Sequence, residues 1–270
     1  MAKDSITRAE VHDKHMKEVI IRLDYAGVSD VSELVKIFDK TFPKTFKNRS
    51  DVYNTEYKMT LSQDVIKDIS DTVHIPVNVL QKEKIVRYTG MRNVHCNVIL
   101  DISQYYLCMT IECDENYDGL DKYVECFKGS ITAFSSRQDY FQPKRLGLRK
   151  IRVESKKTIQ DFNKIFESFV LNIPNYSICQ KDNLKSTYID VIEDKTNKGL
   201  KFNICRSVGR YDAKQGGVDM TEYRAVLDID AYYKDEKLDR ISDLLTQANL
   251  KEFEVYKSCM KEEFLRGAKE

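Results

Sequence analysis

Tryptophan is absent from these 270 residues, so the aromatic part of any core must come from the 16 tyrosines and 12 phenylalanines. No uninterrupted apolar run reaches the roughly 18 residues that a membrane-crossing helix needs. The first residues, "MAKDSITRAEVHDKHMKEV", are polar and lack the apolar centre of a signal peptide, so a cytoplasmic protein is expected. Charge of one sign is missing as well. Lys plus Arg number 44 and Asp plus Glu 43, a net charge of +1. That balance gives no global pull toward nucleic acid or an anionic membrane, and any basic surface has to be local. With 41% hydrophobic and 32% charged residues, the chain reads as soluble and globular, one large domain or two modest ones.

The motifs of familiar chemistry are missing too. Seven cysteines form no C-x-x-C pair, and most sit among apolar neighbours, as in "YYLCMTIEC" and "FNICRS". Reduced, mostly buried thiols are the expectation. Four histidines (His12, His15, His74, His95) show no ligand spacing. His95 and Cys96 are adjacent, and on a strand they would point to opposite faces, so no structural metal is expected. There is no G-x-x-x-x-G-K-[ST], no G-x-G-x-x-G after a strand and no G-x-S-x-G elbow. Nucleotide cradling and a serine triad are therefore unsupported, no cofactor is implied, and the reading leans away from an enzyme.

What is present is strand and helix periodicity. Residues 1–16 read as a polar tail and "EVIIRLDY" (18–25) as a strand. "VSDVSELVKIFDKTFPKTF" reads as a helix capped by Ser29 or Asp30 and ended by Pro43. "VYNTEYKMTLSQD" is a further strand and "SQDVIKDISDTV" a short helix or loop. "KIVRYTGM", "HCNVILDIS" and "YYLCMTIECD" form an antiparallel set, followed by a helix over 116–136. Residues 142–157 are a strand, and "TIQDFNKIFESFVLNI" (158–173) is a helix with Thr158 as cap. "STYIDVIED", "LKFNICRSVGRY" and "EYRAVLDIDAYYKD" are strands joined by turns at "KTNKG" and "AKQGGVD". A long amphipathic helix over 236–266 closes the chain, with a break expected near "ANLKEF".

The fold class is therefore α+β: antiparallel strands with helices on one face, in two similar halves, 17–157 and 158–270. An internal echo supports the halves. "VILDISQYY" (98–106) and "AVLDIDAYY" (225–233) share L-D-I and Y-Y at an offset of 127 residues.

The residues that attract attention lie in "QPKRLGLRKIRVESKK" (142–157), where seven of sixteen residues are basic. On a strand, Arg145, Gly147, Arg149, Ile151 and Val153 share one face. Leu146, Leu148, Lys150 and Arg152 share the other. Arg145, Arg149, Arg152 and Lys150 are the candidates for binding an external anion. Asp228 and Asp230 of "LDID" point the same way as each other and, with Asp101 of the earlier "LDIS", are weak candidates for holding a divalent metal. A structural alternative pairs Arg145 or Arg149 with Asp228 or Asp230 on a neighbouring strand.

These motifs carry a resemblance. "RLGLRKIRVE" (145–154) resembles the central R-x-G-L-R-Y-x-N motif of a sporadically distributed, uncharacterised bacterial and archaeal family of about this length. "AVLDIDAYY" resembles that family's C-terminal L-D-I-D strand, which a long amphipathic helix follows there too. Lys150 stands where the family usually has Tyr, and Arg152 where it usually has Asn. The resemblance implies no activity. It implies a microbial intracellular protein of patchy distribution, a pattern associated with accessory genes such as phage-defence or toxin–antitoxin components.

The expected function is a non-enzymatic binding protein for a protein or nucleic-acid partner. The rival is a metal-dependent nucleic-acid-processing enzyme built on Asp228 and Asp230 beside the basic strand. A homo-oligomer through the terminal helix is a further expectation.

Overall fold

Met16–Ala26 (β1) has the alternation of a half-buried strand: Val19, Ile21, Leu23 and Tyr25 are buried while Glu18, Arg22 and Asp24 are not. This computed structural model describes residues 6–7, 11, 16–58, 78–114, 117, 119–171, 185–215, 218–235 and 240–267. After β1 come α1 (Val31–Thr41), β2 (Phe46–Lys58), β3 (Asn78–Met91), β4 (Asn97–Ile102), β5 (Tyr106–Glu112) and α2 (Asp121–Ser135). Then follow β6 (Gln142–Lys156), a 3-10 turn (Ile159–Lys164), α3 (Ser168–Leu171), β7 (Lys185–Glu193), β8 (Lys201–Gln215), β9 (Val218–Lys234), α4 (Ile241–Cys259) and α5 (Glu262–Leu265). The nine strands form one sheet in the order β2-β3-β4-β5-β1-β6-β9-β8-β7, and every neighbouring pair is antiparallel. The fold is α+β.

Local chemistry explains most elements. Asp30, in extended conformation, caps α1 by accepting from the Ser32 backbone N–H at 2.8 Å. Val31, Leu34, Val35 and Phe38 recur at helical spacing and are buried. Thr158 and Asp161 form a reciprocal capping box at the 3-10 turn.

Several expectations are corrected. The helix expected over 158–173 is two short pieces, because Phe166 leaves helical geometry to bridge Met260. Glu167 N–H donates to the Cys259 carbonyl at 2.9 Å and Lys261 N–H to the Ile165 carbonyl at 2.8 Å. The closing helix runs through "ANLKEF" unbroken and stops at Cys259, where Met260 turns extended. Ile6 and Val11, inside the stretch read as a tail, are buried in the core. "SQDVIKDISDTV" lies outside the described residues.

The sheet has two unlike faces. On one, Tyr88 of β3 packs on Phe38 of α1 (ring centroids 4.7 Å apart) and donates its hydroxyl hydrogen to Asp39 at 2.8 Å. The same face presents Lys150 and Arg152 of β6 to α4, and Arg206 of β8 to the α3 carbonyls of Phe169 and Val170. The alternate residues of each strand make up the open face, where charged and polar side chains stand among aliphatic ones such as Ile20, Ile99, Ile151 and Val153. None of the helices with described residues is long and apolar enough to cross a membrane. None of the six described cysteines is in a disulfide, and Cys96, Cys126 and Cys259 are buried.

Candidate functional site

β6 presents three different surroundings for its basic side chains. On the open face, Arg149 grips Asp228 of β9 with two prongs, Nε–Oδ1 at 2.8 Å and Nη2–Oδ2 at 2.5 Å. Arg145 Nη2 lies 2.5 Å from Asp230 Oδ2, and its guanidinium stacks 4.5 Å over the Tyr232 ring. The register sets Arg149 opposite Asp230 and Arg145 opposite Lys234, so both arginines reach diagonally along β9. Gly147 makes Arg145's path possible. A Cβ there would lie 2.9 Å from Arg145 Nη1 and 3.2 Å from Asp230 Oδ1, in the space the arginine crosses.

The same pattern continues across the open face. Arg22 donates to Asp24 at 2.6 Å and lies 4.2 Å over Tyr106. Arg87 holds Asp101 with two 2.8 Å hydrogen bonds. Asp101 on β4 is separated from β9 by β5, β1 and β6, roughly 19 Å at the usual ~4.8 Å strand spacing. It does not join Asp228 and Asp230. Burial raises the Asp230 pKa, with Arg145 and Arg149 pulling it back. The hydrogen bond to Asp228 raises that of Arg149. No group of three or more His, Cys, Asp or Glu side chains that could hold a metal occurs among the described residues.

Under α4 the surroundings are different. Lys150 and Arg152 are almost wholly buried and converge on Glu252, which has no exposed surface. Arg152 Nη1 lies 2.6 Å from Oε1 and Lys150 Nζ 3.0 Å from Oε2. The Arg152 guanidinium also stacks 3.9 Å over Tyr256. Burial alone would push the Glu252 pKa up. The two cations overcome it and hold the carboxyl at about 2. Lys150 and Arg152 are thus corrected as candidates for an external anion: both are closed off by the helix and held by Glu252 inside the fold.

The end of β6 meets solvent in a cleft of about 760 Å³. Lys156 is the last residue of the strand and Lys157 follows it; Lys164 comes from the 3-10 turn and Lys261 from the α4–α5 junction, with Phe264 and Asn163 beside them. The Phe166–Met260 bridge ties the turn to that junction and so sets the four lysines around one opening. Of the two acids in the lining, Asp161 accepts from the Thr158 hydroxyl at 2.7 Å and from its N–H at 3.2 Å. Those bonds lower its pKa and fix it at the turn. A smaller cleft of about 340 Å³ lies between α1 and β2, with Lys44, Lys47 and Arg49 on its rim and Phe42, Phe46 and Tyr88 in its wall.

Sequence reasoning missed the larger cleft as a site. Lys156 and Lys157 are the tail of the basic stretch, but Lys164 and Lys261 come from elements that only the fold brings together. No family model matches the chain, and no curated protein matches it.

Proposed function

We propose that the protein is a non-enzymatic binding protein whose partner is a nucleic-acid strand, held by its phosphates in the lysine cleft at the end of β6. The observation that carries this reading is the convergence of Lys156, Lys157, Lys164 and Lys261 on one opening that has two acids, one of them tied to Thr158. Lysines track a phosphate backbone without reading sequence, and Phe264 offers an apolar surface beside them for a base. The open face supports this assignment less well. Its arginines already hold carboxylates, so a phosphate there would first have to displace Asp228 or Asp230.

The metal-dependent enzyme finds little support in the same pairs. A cation at Asp228 would displace a two-pronged guanidinium, and Asp101 stands too far away to complete the ligands. An accessory role in phage defence or a toxin–antitoxin pair is compatible with nucleic-acid binding and rests on the resemblance alone.

The test is fluorescence anisotropy with a labelled single-stranded oligonucleotide across a salt series. Four phosphate contacts predict a slope of log K against log salt of roughly −3, at about −0.7 per contact. Lys157→Glu with Lys261→Glu should weaken binding at least about tenfold. Binding that is absent at low salt, or indifferent to these reversals, removes the reading.

We also infer two similar halves meeting at β1 and β6. The order strand, helix, meander, helix occurs twice: β1, α1, β2–β5, α2, and then β6, α3, β7–β9, α4. In each, the last meander strand returns to pair with the first. The echo motif lies in β4 and β9, which are not counterparts in this scheme, so the support is topological.

A further inference from the structure

We infer that β7 is a self-association strand: it pairs antiparallel with β7 of a second copy, joining two nine-stranded sheets edge to edge. β7 is the last strand of the sheet, and among the described residues no strand lies beyond it. Ile189 and Val191 are 68% and 67% exposed, far more than the other open-face aliphatics, and Ile192 is exposed on the other side. An edge strand of this kind presents unpaired backbone groups and apolar side chains together, which makes it a template for another strand.

The opposite edge is built differently. β2 interleaves exposed Lys47, Arg49 and Asp51, and Arg49 and Asp51 are engaged by Asp39 and Lys84. Such charges discourage pairing. One receptive edge and one blunt edge give an assembly that closes at two copies instead of growing into a fibre.

The occupant is argued from the sequence of β7 itself, K-S-T-Y-I-D-V-I-E. A two-fold axis at Ile189 sets Ile189 opposite Ile189 of the second copy. Thr187 then faces Val191, and Lys185 faces Glu193, each twice. Lys185, Thr187, Ile189, Val191 and Glu193 all lie on the open face, so the pairs form one row: an apolar β-branched centre flanked by an ion pair at each end. On the other face Tyr188 meets Asp190, whose carboxylate Arg206 already holds at 2.5 Å. Neighbouring registers are worse. Centring on Asp190 opposes two carboxylates, and centring on Tyr188 sets Lys185 against Val191 and carries Glu193 beyond the strand. The strand is complementary to its own reverse in one register, which an arbitrary partner strand would not require.

The experiment is sedimentation velocity on the full chain over a concentration series, with far-UV circular dichroism confirming that each variant is folded. The wild type should show a concentration-dependent dimer. Lys185→Glu alone, or Glu193→Lys alone, places two like-charged pairs in the interface and should weaken the dimer about tenfold. The double variant restores opposite charges and should return to near the wild-type value. Ile189→Lys, with two ammonium groups at the axis, should be monomeric. A wild type that stays monomeric at millimolar concentration overturns the proposal. So does a dimer indifferent to the single reversals, as one built on α4 would be, or a double variant that does not recover.

Discussion

Glu252 is a carboxylate with no solvent contact, and its two cationic neighbours come from a strand a hundred residues earlier in the chain. Removing one member of such a group leaves buried charge without its counter-charge, which costs far more than the group contributes as a whole. Glu252→Ala should therefore destabilise the fold by about 3–5 kcal/mol in urea denaturation. The triple replacement Lys150→Met, Arg152→Met and Glu252→Leu should recover most of that loss. The pH dependence follows from the depressed pKa. The folded value is about 2 against an ordinary 4.5, so the carboxylate's contribution is complete above about pH 4.5 and fades as pH falls toward 2. The difference corresponds to roughly 3 kcal/mol. Urea midpoints of wild type and Glu252→Gln should converge over that acid window, and a constant gap would refute the assignment. Strand parity alone separated Lys150 and Arg152 from Arg145 and Arg149. The acid that explains them could not be read from sequence, because nothing local marks Glu252 as the residue α4 turns inward.

At the scale of the element, β6 and β9 were legible because strands have a period of two, and the "LDID" aspartates fell on the face of the arginines. The diagonal reach was not legible, since it depends on register and on the empty space at Gly147. Gly147→Ala should act through Arg145, pushing its guanidinium off Asp230 and Tyr232 while leaving the ladder intact. The expected cost is about 1 kcal/mol, small because both partners are partly exposed. A double-mutant cycle on Arg145→Ala and Asp230→Ala should give a measurable coupling in the wild type and almost none in the Gly147→Ala background. Equal coupling in both would show that the glycine has no such role. The 158–173 region failed for the opposite reason. Its helical periodicity was real, but Phe162 and Phe166 are both buried, and the backbone bridge to Met260 overrides propensity there.

For the whole molecule, composition and periodicity carried the α+β class, while the order of strands had no signature in the sequence. The boundary expected at residue 157 places β6 with the first half; the halves proposed above take it instead as the first strand of the second, and in the sheet it lies between β1 and β9. That arrangement makes β1–β6 the joint between two sets of strands, each otherwise connected through its own meander. Opening the chain in the turn between α2 and β6, after Gln138, should therefore give fragments 1–138 and 139–270 that bind each other. Alone, each fragment bares one long strand that is central in the intact sheet, β1 or β6, and should be poorly soluble or unfolded. Co-expressed, the two should purify together and recover the strand signal of the intact chain. They should also melt cooperatively, below the intact protein, because the covalent link no longer limits the entropy cost of bringing the edges together. Fragments that each fold alone and ignore one another would mean that β1 and β6 do not form the joint; fragments that never recover structure would mean that the core does not divide there.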